Sequence, residues 1–223
     1  MRFERKFVPL EIDPAEAAAL VRQHPAGFRE VYSPRAINNL YLDTPDRRHY
    51  FAHVNGAASR TKVRVRWYGP LATKQGPASL EFKHKRGLVG SKDVFRLSHF
   101  SAGNGSGLCV PPVASLHLDP ELPDIAREAV AGHVPVLGNR YQRRYFLSGD
   151  GRFRLTLDSG LEFYDARRAD CWKWPMREGL PPVIFELKFD NAGAPDAAAI
   201  TNFFPFRLRR CSKYILGVDS FEG

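Results

Sequence analysis

The 223-residue sequence has few cysteines and no long apolar segment. Its three cysteines, Cys109, Cys171 and Cys211, are odd in number and widely spaced, which argues against a disulfide framework and against a paired-cysteine metal site. No apolar run approaches the ~18 residues that a membrane-spanning helix needs, and the charged N-terminal residues argue against a signal peptide. We therefore expect a cytoplasmic protein without a membrane span of its own.

Acidic residues are fewer than basic residues. The chain has 33 Lys and Arg against 24 Asp and Glu, a formal net charge of +9 and a pI near 9.7. This balance favours anionic partners such as phosphates, nucleic acid or an acidic membrane surface, without choosing among them. The glycine-rich segment 103–107 lacks the Gly-Lys-Ser/Thr ending of a phosphate-binding loop, so we interpret it as a linker.

Basic and apolar residues alternate in the segment 60–68. Because successive side chains of a β-strand point to opposite faces, the basic residues would share one face, and Val63, Val65 and Trp67 would share the other. The basic residues are Arg60, Lys62, Arg64 and Arg66. This face is either an ordinary solvated surface or a site for a polyanion, and the segment alone does not decide between them.

Charged faces recur in the segments 2–7, 79–85, 152–158 and 183–189. A set of such strands suggests one shared site for a polyanion that is held partly through metal ions. Among their carboxylates, Glu186 could pair with a neighbouring cation across the sheet, and Asp158 is expected to pair with an arginine. His49 and His53 have the spacing of a metal-binding pair, but no third ligand is evident, so no metal site is predicted there.

Short predicted strands outnumber helices, and the chain does not alternate regularly between the two, which predicts an antiparallel all-β or α+β fold. Asp13, Pro14 and Glu16 form the start signal of a helix at 13–24, and further helices are predicted at 123–131 and 195–204. We expect the strands to close into a β-barrel tunnel with a cationic lumen and the helices outside, in a single domain over residues 1–223.

Separate strands are predicted at 28–32 and 38–43 and at 152–158 and 161–166, with a loop at 69–77. The state of 47–55 is not assigned. The segment 167–182, which contains Trp172 and Trp174, is predicted to be a surface excursion.

Eight short motifs follow one another over nearly the whole chain. They are RFERKF at 2–7, YLDTPD at 41–46, KVRVR at 62–66, LEFK at 80–83, YQR at 141–143, RLTLD at 154–158, FELK at 185–188 and SKY at 212–214. Together they resemble the VTC domain, the catalytic domain of the vacuolar transporter chaperone polyphosphate polymerases. That domain is a branch of the triphosphate tunnel metalloenzyme superfamily.

The resemblance implies an enzyme that transfers the γ-phosphate of a nucleoside triphosphate onto a polyphosphate chain, with Mn²⁺ or Mg²⁺ as cofactor. It implies catalytic roles for Arg64, Arg66, Lys83, Arg143 and Arg154. It further implies phosphate contacts by Lys6, Tyr141, Lys188, Ser212 and Lys213, and a metal ligand at Glu186. ATP or another triphosphate and polyphosphate are the expected partners, and a membrane protein is a further candidate partner.

One departure from the superfamily pattern affects the expected reaction. The first strand carries Arg2 where the Glu-x-Glu-x-Lys pattern has its first carboxylate, which favours a polymerase over a two-metal hydrolase. A tripolyphosphatase or nucleoside triphosphatase on the same tunnel remains an alternative, as does a non-catalytic binder of polyphosphate or nucleic acid. Nucleic acid is not expected, because Tyr68 is the only aromatic residue on the cationic face of 60–68.

Overall fold

A computed structural model describes residues 2–87, 89–102, 116, 119–167 and 175–222. The predicted linker at 103–107, the residues Cys109 and Cys171, and Trp172 and Trp174 lie outside the described residues. The chain divides into two compact units, which are described separately. Unit 1 comprises Met1–Ala36, Tyr141–Leu161 and Arg177–Cys211, and unit 2 comprises Ile37–Arg140, Glu162–Met176 and Ser212–Gly223. The prediction of a single domain stays a prediction.

Eight strands dominate the described part of the chain. They are β1 (Arg2–Phe7), β2 (Arg29–Asp43), β3 (Ser59–Tyr68), β4 (Thr73–Arg86), β5 (Val89–Ala102), β6 (Val134–Leu147), β7 (Arg154–Asp165) and β8 (Val183–Asp190). They form one sheet in the order β1-β8-β7-β6-β2-β3-β4-β5. The pairs β1–β8, β2–β3, β3–β4, β4–β5 and β7–β8 are all antiparallel. The predicted mainly antiparallel α+β architecture is confirmed.

Closure of the sheet differs from the prediction. Within the described residues the order of paired strands begins at β1 and ends at β5, so no pairing closes it into a ring. The second edge of β1 is instead covered by a later segment of unit 1. Phe7 forms an isolated bridge with Leu208, and the Arg209 N–H donates to the Lys6 carbonyl at 2.9 Å. That segment satisfies backbone groups that a closing strand would otherwise have to pair.

Five helices are described. They are α1 (Pro14–Gln23), α2 (Arg48–Val54), α3 (Asp124–Val130), α4 (Ala197–Asn202) and α5 (Lys213–Asp219). The predicted start of α1 is confirmed, because Asp13 accepts hydrogen bonds from the Ala15 and Glu16 N–H groups while the Glu16 side chain accepts from the Asp13 N–H. None of the five combines the length and apolar character that a membrane crossing demands.

Several predicted boundaries were wrong. β2 and β7 are single long strands rather than two short ones each, and β4 begins inside the predicted loop at 69–77. The first part of β2, residues 29–35, is exposed on both faces, so no apolar alternation marks it as a strand. Helices α2 and α5 were not predicted, because each is only seven residues long and has little periodic pattern.

Each unit has its own apolar core on the side of the strands opposite the basic residues. In unit 1, Phe7, Leu155 and Phe185 pack against Ala18 of α1 and Ile200 of α4. In unit 2, the apolar faces of β2, β3 and β4 pack with α3. The residues of that contact include Leu40, Val63, Val65, Leu80, Ala126 and Val130. Helices thus cover the apolar faces, as predicted, and the charged faces point the other way.

The helix α5 approaches its neighbours closely at Gly217. A Cβ atom at this position would lie 2.5 Å from Leu137 Cδ2 and 2.7 Å from Phe163 Cδ1. Both neighbours are buried and belong to strands. Only a residue without a side chain therefore fits here.

We predict that Gly217→Ala destabilises the protein by about 1–3 kcal/mol, because the added methyl overpacks a close contact. Urea denaturation measures the change in the free energy of unfolding. Gly90→Ala is the matched control, since its Cβ would meet only the His84 carbonyl, at 3.6 Å. Equal stability of the two variants would contradict the prediction.

Candidate functional site

The predicted alternation of β3 is confirmed. Val63, Val65 and Trp67 are buried in the core of unit 2. The basic residues lie on the other face, where Arg64 is half-buried and Arg66 is 9% exposed. Such burial of an arginine requires partners that offset its loss of hydration.

Glu81 of β4 supplies that partner in unit 2. Its carboxylate accepts from Arg64 Nε at 2.8 Å and lies 2.7 Å from Arg64 Nη2. The same Oε2 atom lies 3.8 Å from Arg66 Nη1, and Lys92 of β5 donates to Oε1 at 2.5 Å. We name Arg64, Arg66, Glu81 and Lys92 the Glu81 cluster. Three cations therefore converge on one buried carboxylate.

The environment of Glu81 sets its protonation. Burial alone would raise the pKa of this carboxyl, but the charges of Arg64 and Arg66 and the hydrogen bond from Lys92 outweigh that effect and lower it to about 2. Burial lowers the pKa of Lys92, and the contact with Glu81 opposes this only in part. At neutral pH Glu81 is a carboxylate that partly neutralises the cluster.

Two buried asparagines hold Arg66 in place. Arg66 Nε donates to Asn39 Oδ1 at 2.9 Å, and Asn39 Nδ2 donates to Asn139 Oδ1 at 2.7 Å. Both asparagines are fully buried. Because a buried amide keeps few alternative partners, this chain of hydrogen bonds restricts the orientation of the guanidinium group.

Helix α5 brings Ser212 to the charged face of β3. Ser212 is the N-cap of α5, and Lys62 Nζ donates to its Oγ at 2.7 Å. Tyr214 anchors the helix: its ring stacks on Tyr41 at 5.0 Å, and its hydroxyl donates to Asp43 at 2.5 Å. Burial and the bond to Asp43 raise the pKa of Tyr214, so its hydroxyl remains a donor.

Three lysines lie side by side across β3, β4 and β5. Lys62 is the register partner of Lys83, and Lys83 is the partner of Lys92. Like charges directly opposite one another in a sheet are unfavourable. The predicted site residues Arg64, Arg66 and Lys83 thus share one face of unit 2, and Lys213 lies next to Ser212 in the first turn of α5.

In unit 1, the predicted residues Lys6, Glu186 and Lys188 meet on the charged faces of β1 and β8. Lys6 Nζ lies 2.9 Å from Glu4 Oε1 and 3.5 Å from Glu186 Oε2, and it donates to the Cys211 carbonyl at 3.1 Å. Lys188 forms an ion pair with the other oxygen of Glu186. We name Glu4, Lys6, Glu186 and Lys188 the Glu186 cluster. Burial would lower the pKa of Lys6, but Glu186 and Glu4 raise it overall, so its ammonium stays charged.

Arg143 is held by Asp158 rather than by a glutamate. Its Nε and Nη2 atoms donate to the two Asp158 oxygens at 2.6 and 2.7 Å, and its guanidinium lies 5.4 Å from the centre of the Tyr141 ring. The carboxylate of Asp158 is fully buried. The expectation that Asp158 pairs with an arginine is confirmed. Despite burial, the pKa of Arg143 is raised well above its ordinary value by this pair.

Arg154 is the most exposed of the predicted residues in unit 1. It is the register partner of Lys188, which is in turn the partner of Glu4. Within the described ranges it forms no ion pair, and its side chain is exposed. A guanidinium in this state can bind an incoming anion without first leaving a carboxylate.

The residues present fit the divalent ion that the resemblance implies. Glu4 and Glu186 both approach Lys6 Nζ, so their carboxylates lie near a common point. Mg²⁺ in enzymes is commonly bound through one or two carboxylates together with substrate phosphates. Among the residues that the structure describes, no group of three or more His, Cys, Asp or Glu side chains could hold a metal ion.

His49 pairs with His133 rather than with His53. Their Nε2 atoms lie 2.9 Å apart and their ring centroids 5.1 Å apart, so the rings meet edge to edge. Two nitrogen ligands of a tetrahedral zinc would lie about 3.3 Å apart at zinc–nitrogen distances of ~2.0 Å. At 2.9 Å the two nitrogens lie closer together than that, within the distance of a hydrogen bond between the rings.

Several residues in these clusters or hydrogen-bonded to the site residues were not among the predicted site residues. They are Glu4, Asn39, Lys62, Glu81, Lys92 and Asn139. The position of Glu81 on the face of Lys83 is readable from alternation, but its place opposite Arg64 depends on the register of β3 with β4. The asparagines give no signal in the sequence, because residues 37–43 of β2 and 136–139 of β6 are buried on both faces.

Comparison with known proteins identifies relatives by family and by fold. The family model described as the VTC domain matches residues 10–222. Among curated proteins, no sequence gives a significant match.

Three solved structures resemble the chain at low sequence identity. A candidate adenylate cyclase from Vibrio parahaemolyticus is 12% identical with a TM-score of 0.54, covering 100% of this chain and 98% of its own. The PH1819 protein from Pyrococcus horikoshii OT3 is 14% identical with a TM-score of 0.53, covering 98% and 99%. HpAC1 from Hippeastrum, a candidate adenylyl cyclase with a dominant triphosphatase activity, is 17% identical with a TM-score of 0.56, covering 99% and 96%. These likenesses establish the fold alone.

We predict that Glu81→Gln destabilises the protein by about 1.5–3 kcal/mol at neutral pH, because three cations lose the charge that offsets their repulsion. The folded-state pKa of about 2 lies below the ordinary 4.5, so this stabilisation is present above pH 4.5 and is lost as the pH falls towards 2. Urea denaturation at neutral and acidic pH should therefore show that the difference in the free energy of unfolding between Glu81→Gln and the wild type becomes smaller in acid. Glu121→Gln, at an exposed position, is the control. If the loss of stability in Glu81→Gln did not depend on pH, the Glu81 carboxylate would not be its source.

We also predict that His49 makes stability fall in mild acid. Burial and the neighbouring His133 lower its pKa below the ordinary 6.5, so the unfolded chain binds a proton more readily. This contribution is present above pH 6.5 and is lost as the pH falls below it. Urea denaturation at about pH 7.5 and pH 5.5 should show that the free energy of unfolding falls less for His49→Gln than for the wild type between the two pH values. Identical losses would exclude His49 as the source.

Proposed function

The chain belongs to the VTC domain family, and we propose that it is a metal-dependent phosphotransferase of the triphosphate tunnel type. The proposed reaction moves the γ-phosphate of a nucleoside triphosphate onto the end of a polyphosphate chain. The donor's bond between the β–γ bridging oxygen and the γ-phosphorus breaks, and a terminal oxygen of the acceptor forms the new bond to that phosphorus. The products are the nucleoside diphosphate and a chain longer by one phosphate.

The convergence of Arg64, Arg66 and Lys92 on one carboxylate carries this proposal. Two guanidinium groups and an ammonium group point at a place where an anionic oxygen already sits. A phosphate oxygen has the same charge and accepts the same hydrogen bonds, and arginine binds it in a bidentate manner. The cluster is therefore suited to phosphate groups that share its cations with Glu81.

The proposed roles follow from the chemistry of each side chain. Phosphoryl transfer requires little covalent chemistry from the protein, but negative charge on the transferred group must be stabilised while the attacking and leaving oxygens are held in line. We assign charge stabilisation to five residues and phosphate binding to five more. The first group is Arg64, Arg66, Lys83, Arg143 and Arg154, and the second is Lys6, Tyr141, Lys188, Ser212 and Lys213.

Glu186, with Glu4 beside it, would hold the Mn²⁺ or Mg²⁺ ion. When bound, such an ion supplies Lewis acidity and a template for the phosphates. Lys6 and Lys188 neutralise Glu186 in the described structure. Their ammonium groups would then turn to the phosphates that accompany the ion.

The small number of available carboxylates supports transfer over two-metal hydrolysis. Asp158 and Glu81 are engaged by arginines, Glu4 and Glu186 are paired with lysines, and Arg2 stands at the position of the pattern's first glutamate. Hydrolysis is the second candidate, because HpAC1, which shares the fold, has a dominant triphosphatase activity. A cytoplasmic location and a membrane-protein partner remain part of the proposal.

We predict that the protein converts ATP into long polyphosphate chains in the presence of Mn²⁺ or Mg²⁺, as seen by gel separation of the products. Release of inorganic phosphate without chains would instead support the triphosphatase. Unchanged ATP would contradict both reactions and leave a binding protein. In that case, saturating tripolyphosphate should still raise the melting temperature, since a ligand at about 100 times its Kd stabilises by ~2.7 kcal/mol.

The variant Arg66→Ala should lower the rate about a hundredfold, as expected when a donor to the developing charge is removed. Arg22→Ala is the control, because Arg22 is exposed in the last turn of α1 and belongs to neither cluster. Full activity of Arg66→Ala would remove this residue from the proposed site.

A further inference from the structure

The start of β2 is unusual because its side chains are exposed on both faces. Residues 29–35 are all exposed, although they form a regular strand. Tyr32 is 58% exposed and Val31 is 42% exposed. Large aromatic surface is normally buried or used for binding, so the ring of Tyr32 requires an explanation that core packing does not provide.

Tyr32 belongs to a group of three planar side chains. Its ring meets that of Tyr145 on β6 edge to face, with centroids 5.7 Å apart and planes at 89°. The Arg35 guanidinium lies 5.4 Å from the Tyr32 centroid and 5.9 Å from the Tyr145 centroid. We name Tyr32, Arg35 and Tyr145 the Tyr32 platform. It presents flat π surfaces together with a positive charge.

The platform is held in place by its neighbours. Arg144, which precedes Tyr145, donates to both oxygens of Glu30 at 2.8 and 2.5 Å. This bidentate pair joins β6 to β2 beside the platform. The Glu30 carboxylate, two residues before Tyr32 in the chain, is thereby engaged by Arg144.

The platform begins two residues beyond Arg143, to which phosphate stabilisation is assigned. Two residues of a strand span about 6.6 Å, and alternate residues point to the same face, so Tyr145 follows Tyr141 and Arg143 along one face of β6. In a nucleoside triphosphate, the ribose separates the phosphates from the base by a short distance of this order. A phosphate at Arg143 therefore leaves the base within reach of Tyr145.

Resting on the proposed function, we propose that the Tyr32 platform stacks the base of the nucleoside triphosphate and makes the protein prefer nucleotides to inorganic tripolyphosphate. Every nucleobase has a flat π face that stacks on aromatic rings and on guanidinium planes. Stacking on the platform does not depend on the hydrogen-bonding edge of the base, so it does not distinguish one base from another. Discrimination is therefore between substrates with and without a base, rather than among the four bases.

Titration calorimetry with ATP and with inorganic tripolyphosphate, both with Mg²⁺, tests the proposal on the full chain. Tyr32→Ala should weaken ATP binding about tenfold and leave tripolyphosphate binding unchanged. Tyr32→Phe keeps the ring and should retain the wild-type affinity for ATP. Val31→Ala is the matched control, because Val31 is a similarly exposed neighbour on the other face of the same strand.

The two ligands separate failure of the inference from failure of the proposed function. Equal affinity of the wild type for both ligands, or an equal loss of both in Tyr32→Ala, overturns the platform and leaves phosphate binding intact. A wild-type protein that binds neither ligand overturns the proposed function and the platform with it. Unchanged tripolyphosphate binding by Tyr32→Ala also establishes that the variant is folded.

Discussion

Basic side chains that share a strand face repel one another, and the fold must offset that repulsion. Neighbouring residues on one face lie roughly 6.6 Å apart, and each pair of like charges repels by about 0.6 kcal/mol even in bulk water. Burial raises that cost. The protein offsets it with a few carboxylates, each in contact with more than one cation or in a bidentate pair, as Glu81, Glu186 and Asp158 show.

The same arrangement connects stability with the proposed chemistry. A carboxylate that contacts several cations holds them in place before any ligand binds. A phosphate oxygen could then share the same cations. The order of the site comes from outside the ligand-binding atoms: Asn39 holds Arg66, and Tyr214 fastens the helix that carries Ser212. Phosphoryl transfer requires preorganised charge of this kind, because the protein must stabilise the negative charge of the transferred group.

How much of the site could be predicted depended on whether a residue's face could be read from local alternation. Arg64, Arg66, Lys6 and Glu186 lie on the charged faces expected of them, and Val63 and Val65 lie in the core. Glu81 was visible as a charged neighbour of Lys83, but not as the partner of three cations from two other strands. The continuity of β2 was missed because its exposed first half and buried second half carry no alternation, and α5 was missed because seven residues give little periodic pattern.

The amino-acid order alone indicates the strand faces, the excess of positive charge and the family, since alternation and short motifs are local properties of the chain. The folded chain was needed to see which carboxylate meets which cation, that a segment near Leu208 covers the edge of β1, and that Tyr32, Arg35 and Tyr145 lie together. The partners of Glu81 depend on strand register, while Phe7 meets Leu208 and Tyr32 meets Tyr145 across more than a hundred positions of the chain. A shift of one residue would turn the same side chains to the opposite face, so pairing must be formed before such contacts exist.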